Sequence, residues 1–298
     1  MSLPKFEYIA ATCSEDAGNL AAKLGVGCKI MAGGTDVLLM MKNRTEKPEF
    51  ILDLKRIPGM DQIQYLPGEG LKIGALANLH AIETSPVVKE KFSAVADAAH
   101  YVASTQIRCK ATMVGNICNA SPAADTAPIL LALNASVKTF RTYPDNGRTI
   151  PIGEFFKDVK KTALTHGEIV TEINIPELGA GESAAYIKHA VRKAMDIAIV
   201  GVAAWLKIDG STCVDCRIGL GGAASTPIRA TRAEKVLIGQ KLTDELIEKA
   251  GVAASEDCSP RTDVGPRRFR RASPEYRKDM IRVFTKRSIK KALETSKA

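Results

Sequence analysis

The sequence has no apolar run of about 18 residues, so no membrane-spanning helix is expected. Its first residues, Met1-Ser2-Leu3-Pro4-Lys5-Phe6-Glu7, show no basic region followed by an apolar stretch. A secretory signal is therefore not expected, and a cytoplasmic location is the default reading. Histidine is scarce. His80, His100, His166 and His189 are scattered, and none stands in a pattern that marks a catalytic base or a covalent cofactor attachment. Aromatic residues make up only 5% of the chain and are not interleaved with the basic residues, as a base-stacking platform would require. The seven cysteines, Cys13, Cys28, Cys109, Cys118, Cys213, Cys216 and Cys258, form an odd and scattered set, which argues against a disulfide framework. Only Cys213 and Cys216 are close. In an extended run, side chains three apart point to opposite faces. No second pair completes a metal site, so no metal centre is expected and the two thiols read as small apolar packing groups. Internal repeats, low-complexity segments, a G-x-G-x-x-G fingerprint and a Walker A loop are all missing.

What is present is ordinary globular composition, 45% apolar and 25% charged, over 298 residues. That length suffices for two domains. The net charge of +9 is unevenly placed: residues 261–298 carry 13 Lys/Arg against 4 Asp/Glu, which accounts for all of it. Such a patch suits nucleic acid, a membrane surface or an acidic protein. However, Arg277, Arg282, Lys286, Lys290 and Lys291 alternate with Met280, Ile281, Val283, Phe284, Ile289 and Leu293. That is the pattern of an amphipathic helix packed on its apolar side. The basic segment is accordingly assigned to subunit contacts or solvent, with no nucleic-acid partner.

Hydrophobic patterning predicts a mixed α+β chain. Helices are expected at 14–24, with Ser14 as N-cap, and over a turn at 37–42. Further helices are expected at 78–83, 87–103, 127–133, 230–238, 243–255 and 274–294. Strands are expected at 29–31, 50–54, 71–75, 135–143 and 169–175, and after a Pro/Gly-rich linker at 176–181, over 184–191, 198–208 and 213–222. Residues 104–125 show little periodicity.

Two small-residue loops carry the chemistry. The first, Ala32-Gly33-Gly34-Thr35-Asp36, joins the short strand Lys29-Ile30-Met31 to a helix start. Glycines let backbone approach a ligand closely. Successive N–H groups with a helix start behind them suit a pyrophosphate. Asp36 would cap the helix or meet a ribose or adenine edge. The second, Thr112-Met113-Val114-Gly115-Asn116-Ile117, runs on through Asn119 to Pro122-Ala123-Ala124-Asp125-Thr126. Its polar backbone would need partners if buried, and a polar cofactor would supply them.

Taken in order with Gln106-Ile107-Arg108, Asp196-Ile197-Ala198, Gly221-Gly222-Ala223-Ala224, Pro227-Ile228-Arg229-Ala230 and Arg271-Ala272-Ser273-Pro274-Glu275-Tyr276-Arg277, these stretches cover nearly the whole chain. The sequence resembles the FAD-binding medium subunits of molybdenum hydroxylases, the xanthine dehydrogenase and aerobic carbon monoxide dehydrogenase group. The resemblance implies an FAD-binding domain of the vanillyl-alcohol-oxidase type over 1–176, with subdomains of about 1–55 and 56–176. A C-terminal α+β domain, with a sheet and helices, would follow over 177–298. It implies that Lys29, Ile30, Met31, Ala32, Gly33, Gly34, Thr35 and Asp36, with Thr112, Met113, Val114, Gly115 and Asn116, hold the pyrophosphate and ribityl region. Asn119 and Asp125 would contact FAD, Ile169 or Val170 would meet the flavin end, and Lys188 would stand near the ring as a cation favouring reduced flavin. No side chain is implied as an acid or base on the organic substrate.

The resemblance further implies a large partner subunit with the molybdenum cofactor and a small one with [2Fe-2S] clusters. The assembly would be a dimer of heterotrimers, with NAD or another compound as electron acceptor. The cysteine-rich insertion of the benzoyl-CoA-reductase-type branch is absent. Val114 departs from the family, which has glycine there, and its side chain would narrow the approach of backbone to phosphate. Cys109 stands where asparagine is common, and 264–270 is irregular for the family. Two other readings stand beside this one: a self-contained FAD-dependent dehydrogenase or oxidase, and a basic-tailed nucleic-acid-binding protein.

Overall fold

A computed structural model describes residues 2–142, 145–261 and 272–296. The segment 264–270, and with it Arg267, Arg268, Arg270 and Arg271, lies outside the described residues. Strands β1 (Glu7–Ala10), β2 (Cys28–Met31) and β3 (Phe50–Asp53) form a parallel sheet in the order β1-β3-β2. Parallel neighbours need crossovers, and helices α1 (Ser14–Leu24) and α2 (Val37–Lys42) lie on those connections. The cap of α1 is Cys13, whose sulfur accepts from the Asp16 N–H at 3.4 Å; Ser14, expected there, is the first helical residue instead.

The second sheet is antiparallel, with β4 (Ile63–Leu66), β5 (Gly70–Gly74), β6 (Ser136–Phe140), β7 (Thr149–Pro151) and β10 (Ile169–Ile175) in the order β4-β5-β10-β6-β7. Strands β8 (Phe156–Asp158) and β9 (Lys161–Thr162) form a separate hairpin before β10. Seven helices belong to this region: α3 (Leu79–Thr84), α4 (Pro86–Lys91), α5 (Ser93–His100), α6 (Thr105–Arg108), α7 (Met113–Cys118), α8 (Thr126–Ala132) and α9 (Ile152–Phe155). The single helix expected over 87–103 is two, because Phe92 leaves the helical region at φ −137, ψ 46 and buries its ring. The stretch 104–125, which lacks periodicity, holds two short helices, α6 and α7. Each is too short to show a hydrophobic period, and each is started by a hydroxyl cap, Ser104 and Thr112.

The third sheet is antiparallel, β11 (Glu182–His189), β12 (Val200–Asp209), β13 (Thr212–Gly221) and β14 (Ile228–Arg229) in chain order, followed by α10 (Thr231–Leu237), α11 (Asp244–Glu256) and α12 (Pro274–Ser296). Strand periodicity sends alternate side chains to opposite faces. Ala184, Tyr186, Ala203 and Trp205 join the main core beneath the second sheet. Ala185, Val202, Ala204 and Leu206 join a second core with Ile281, Phe284 and Ile289 of α12. Burial on both faces explains why 200–206 reads as one apolar run. The expectation that Cys213 and Cys216 face opposite ways is corrected. The β12–β13 pairing shifts between Lys207↔Asp215 and Ile208↔Cys213, so Val214 is an extra residue. Such a bulge resets the alternation, and both thiols are buried in the second core.

The basic face of α12 is largely paired. Arg282 and Lys286 both reach Glu248 of α11 at 2.5 Å, Lys290 reaches Asp244 at 2.6 Å and Lys291 reaches Asp97 of α5 at 2.7 Å. Among the described residues, no helix is long and apolar enough to cross a membrane.

Candidate functional site

The chain leaves β2 at Met31 and turns through Ala32-Gly33-Gly34-Thr35 into α2. Gly34 takes φ +74, a left-handed conformation that glycine adopts without a Cβ clash. Gly33 is needed for a different reason, which is space. A Cβ built there would stand 1.9 Å from the Lys110 carbonyl oxygen and 3.0 Å from the Ala111 Cα. The first loop therefore packs backbone to backbone against the residues that lead into the second. The rear of the turn is fixed to the end of β3: the Leu54 N–H donates to the Met31 carbonyl at 3.1 Å, and Lys55 Nζ reaches the Ala32 carbonyl at 3.4 Å and Asp53 Oδ2 at 2.6 Å. Lys29, Ala32, Thr35 and both glycines are half-buried, while Ile30 and Asp36 are exposed. Asp36 occupies the N-cap position of α2 but makes no side-chain capping bond, so the capping role considered for it is not realised.

The second loop is a capped helical turn. Buried Thr112 accepts from the Gly115 N–H at 2.9 Å and starts α7, and the Leu79 N–H donates to the Ala111 carbonyl at 2.8 Å, holding that turn to α3. Val114 is 5% exposed and belongs to the main core with Met113 and Ile117. Its isopropyl group is taken up by packing in that core. Asn116 Oδ1 accepts from Thr126 Oγ1 at 2.7 Å, which ties the loop to the start of α8.

Beside Thr126 stands Asp125, buried and hydrogen-bonded to Lys188 Nζ at 2.9 Å and Tyr186 Oη at 2.9 Å. Burial pushes the Asp125 carboxyl up, against the pull of the Lys188 ammonium and the Tyr186 hydroxyl. Lys188 Nζ also donates to the carbonyls of Tyr101 at 2.9 Å and Asp196 at 2.7 Å. An ammonium has three N–H donors, so all are in use and the charge is offset by Asp125. Lys188 thus clasps α8, the end of α5 and the 190–197 connection together.

Ile169 and Val170 open β10 and are buried in the main core, where α7 packs against β10. They are held by their neighbour Glu168. Burial alone would raise its carboxyl, but Arg148 Nε at 2.9 Å, Thr139 Oγ1 at 2.7 Å, and the Thr165 N–H at 2.8 Å and hydroxyl at 3.0 Å together lower it to about 2. Asn119 lies on the open side of the second loop and accepts from Lys160 Nζ at 2.5 Å. The structure therefore brings the expected residues into one connected set, from Gly33 across Lys110–Ala111 to Thr112, Asn116, Asp125 and Lys188.

Two family models divide the chain between them. The FAD binding domain in molybdopterin dehydrogenase matches residues 4–178, and the CO dehydrogenase flavoprotein C-terminal domain matches 185–292. This chain belongs to the FAD-binding family of molybdopterin dehydrogenases. Relatives within the family include the glyceraldehyde dehydrogenase medium chain of Sulfolobus acidocaldarius, 31% identical over 96% of this chain and 98% of that one. A putative xanthine dehydrogenase FAD-binding subunit of Escherichia coli is 33% identical over 96% and 95%. Among solved structures, a carbon monoxide dehydrogenase chain from Hydrogenophaga pseudoflava superposes with a TM-score of 0.92 at 32% identity, covering 99% of both chains. A chain of quinoline 2-oxidoreductase from Pseudomonas putida gives 0.90 at 25% identity, again over 99% of both.

The residues fit the family's cofactor. The first loop offers glycine backbone, the second a capped turn with two asparagines, and the donors around them are neutral amides and ammonium groups suited to phosphate oxygens. The sequence reading missed Tyr186 and Glu168. Tyr186 looks like any strand tyrosine until its hydroxyl is seen on Asp125, and Glu168 marks a turn before β10 with no local sign of its three partners.

Proposed function

We propose that this chain is the FAD-carrying medium subunit of a molybdenum hydroxylase. In that role its own residues bind and orient FAD, whose chemistry when bound is to pass electrons between [2Fe-2S] clusters of a small partner subunit and NAD or another acceptor. A large partner with the molybdenum cofactor would oxidise the organic substrate, and the assembly would be a dimer of heterotrimers. The observation that carries the reading is the backbone contact between the two loops at Gly33 and Lys110, set within a chain matched by both family models. The carbon monoxide dehydrogenase medium chains and xanthine dehydrogenase FAD-binding subunits among its relatives support the same assignment.

Within this proposal, residues 1–176 form the FAD domain, in subdomains of about 1–55 and 56–176, and 177–298 form the C-terminal domain. Gly33, Gly34 and Thr35 present backbone to the diphosphate while Lys29, Ile30, Met31, Ala32 and Asp36 shape the approach. Thr112, Met113, Val114, Gly115 and Asn116 form the facing turn, and Asn119 adds an amide. Ile169 and Val170 form an apolar wall at the flavin end. Asp125 and Lys188 act as a buried clasp behind the site.

The test is direct. The purified full chain should carry or take up one FAD, with a flavin absorption spectrum. It should not oxidise purines, aldehydes or N-heteroaromatics alone, and it should co-purify with a large and a small subunit when these are co-expressed. Organic substrate turnover by the isolated chain would overturn the subunit assignment, and failure to bind FAD would overturn the flavin assignment.

A further inference from the structure

We infer that Lys160, at the tip of the β8–β9 hairpin, is a further cofactor-binding residue whose ammonium neutralises the diphosphate of a bound dinucleotide. The inference deepens the flavin reading and rests on it. Lys160 lies far along the chain from both loops, yet its Nζ donates to Asn119 Oδ1 at 2.5 Å, on the run that continues the second loop. The charged groups that act on it are Asp36 of the first loop, which attracts, and Lys29 of β2, which repels. The hairpin thus delivers a cation to the place where the first loop and the continuation of the second converge.

Two further features point to a purpose beyond packing. The backbone of Lys160 sits at φ +60, and its N–H donates at 3.0 Å to the carbonyl of Ala120, itself at φ +44. Left-handed backbone is uncommon at non-glycine residues. Here two such residues face each other, and together they fix where the lysine starts. The ammonium is also short of an anion. Among the described residues, no carboxylate lies within ion-pairing distance of it, and its nearest partner is a neutral amide oxygen. Lys160 is exposed, so its ammonium stands open to a ligand, and partial desolvation lowers its pKa. A diphosphate would supply the missing anion through charge-assisted hydrogen bonds. Lys29, by contrast, already has Glu46 at 3.2 Å.

The experiment compares the full-length wild type with Lys160→Asn and Lys160→Arg. Asparagine tolerates the left-handed conformation and removes the charge, and arginine keeps the charge. FAD affinity of the deflavinated chains is read by flavin fluorescence at low and at high potassium chloride, with a thermal melt of each apo chain as the folding control. Lys160→Asn should weaken FAD binding at least about tenfold at low salt. The difference should shrink at high salt, where the lost charge is screened. Lys160→Arg should bind FAD within a few-fold of wild type. The inference is overturned if Lys160→Asn binds FAD within about twofold of wild type, or is weakened by one factor at both salt concentrations, as a merely structural residue would be. If wild type itself takes up no FAD, the flavin reading falls and this inference falls with it. Wild-type binding with an unaffected variant removes only the role of Lys160.

Discussion

Glu168→Gln removes one charge and almost no volume from a carboxylate that is 3% exposed and fixes the start of β10. Its carboxyl is lowered from 4.5 to about 2 in the folded chain. At ~1.4 kcal/mol per pKa unit, that difference contributes about 3 kcal/mol to stability at neutral pH. Because the folded pKa is depressed, the contribution is complete above the unfolded value of 4.5 and is lost as pH falls through about 2. The amide cannot reproduce it. One end of a glutamine is a donor, and it would face the donors of Arg148 or Thr165. Urea unfolding of the apo chain at neutral pH should therefore show the variant weaker by about 3 kcal/mol, with a melt lowered by roughly 6–10 °C. Other titrating groups are common to both proteins, so their difference isolates Glu168. That difference should narrow to about half by about pH 3. A gap of unchanged width at low pH, or no gap at neutral pH, would refute the assignment of charge-dependent stability to this site.

Three other changes probe the candidate site and the packing of α12. Gly33→Ala should cost about 1–3 kcal/mol of stability and at least tenfold in FAD affinity, because its methyl meets the Lys110 carbonyl at 1.9 Å. Gly153→Ala, with nothing within 4 Å, is the control and should melt like wild type. Lys188→Met should destabilise by about 3–5 kcal/mol by leaving the buried Asp125 carboxyl without its ion-pair partner, and adding Asp125→Asn should restore a measurable part in a double-mutant cycle. Equal and additive losses would show that the two side chains do not act as a pair. Glu248→Gln, by contrast, removes exposed pairs to Arg282 and Lys286, and should leave the melt nearly unchanged at high salt. A large drop there would mean that α12 depends on its charges more than on Ile281, Phe284 and Ile289.

The sequence by itself determined most of what is local. Apolar period marks α1, α8, α11 and the three long strands of the third sheet, and small residues mark both loops. The order of those motifs sufficed for the family. Local signals failed where tertiary contacts overrode them. The 87–103 pattern is alanine-rich throughout, but Phe92 gains more by burying its ring than by continuing the helix. The bulge at Val214 carries no marker, since its extra residue is defined only against β12, and it alone puts Cys213 and Cys216 in one core.

Only the tertiary structure decided which groups meet. The sequence names Val114 without saying which way a short helix turns its side chain; the structure places it in the main core. Lys188 carries no local sign of its partners, yet Asp125, Tyr101 and Asp196 use all its donors. Lys160 has no motif, yet a strained hairpin tip carries it to Asn119. Charge partners and backbone approaches depend on residues far apart in the chain, and a periodicity read along the chain does not contain those distances.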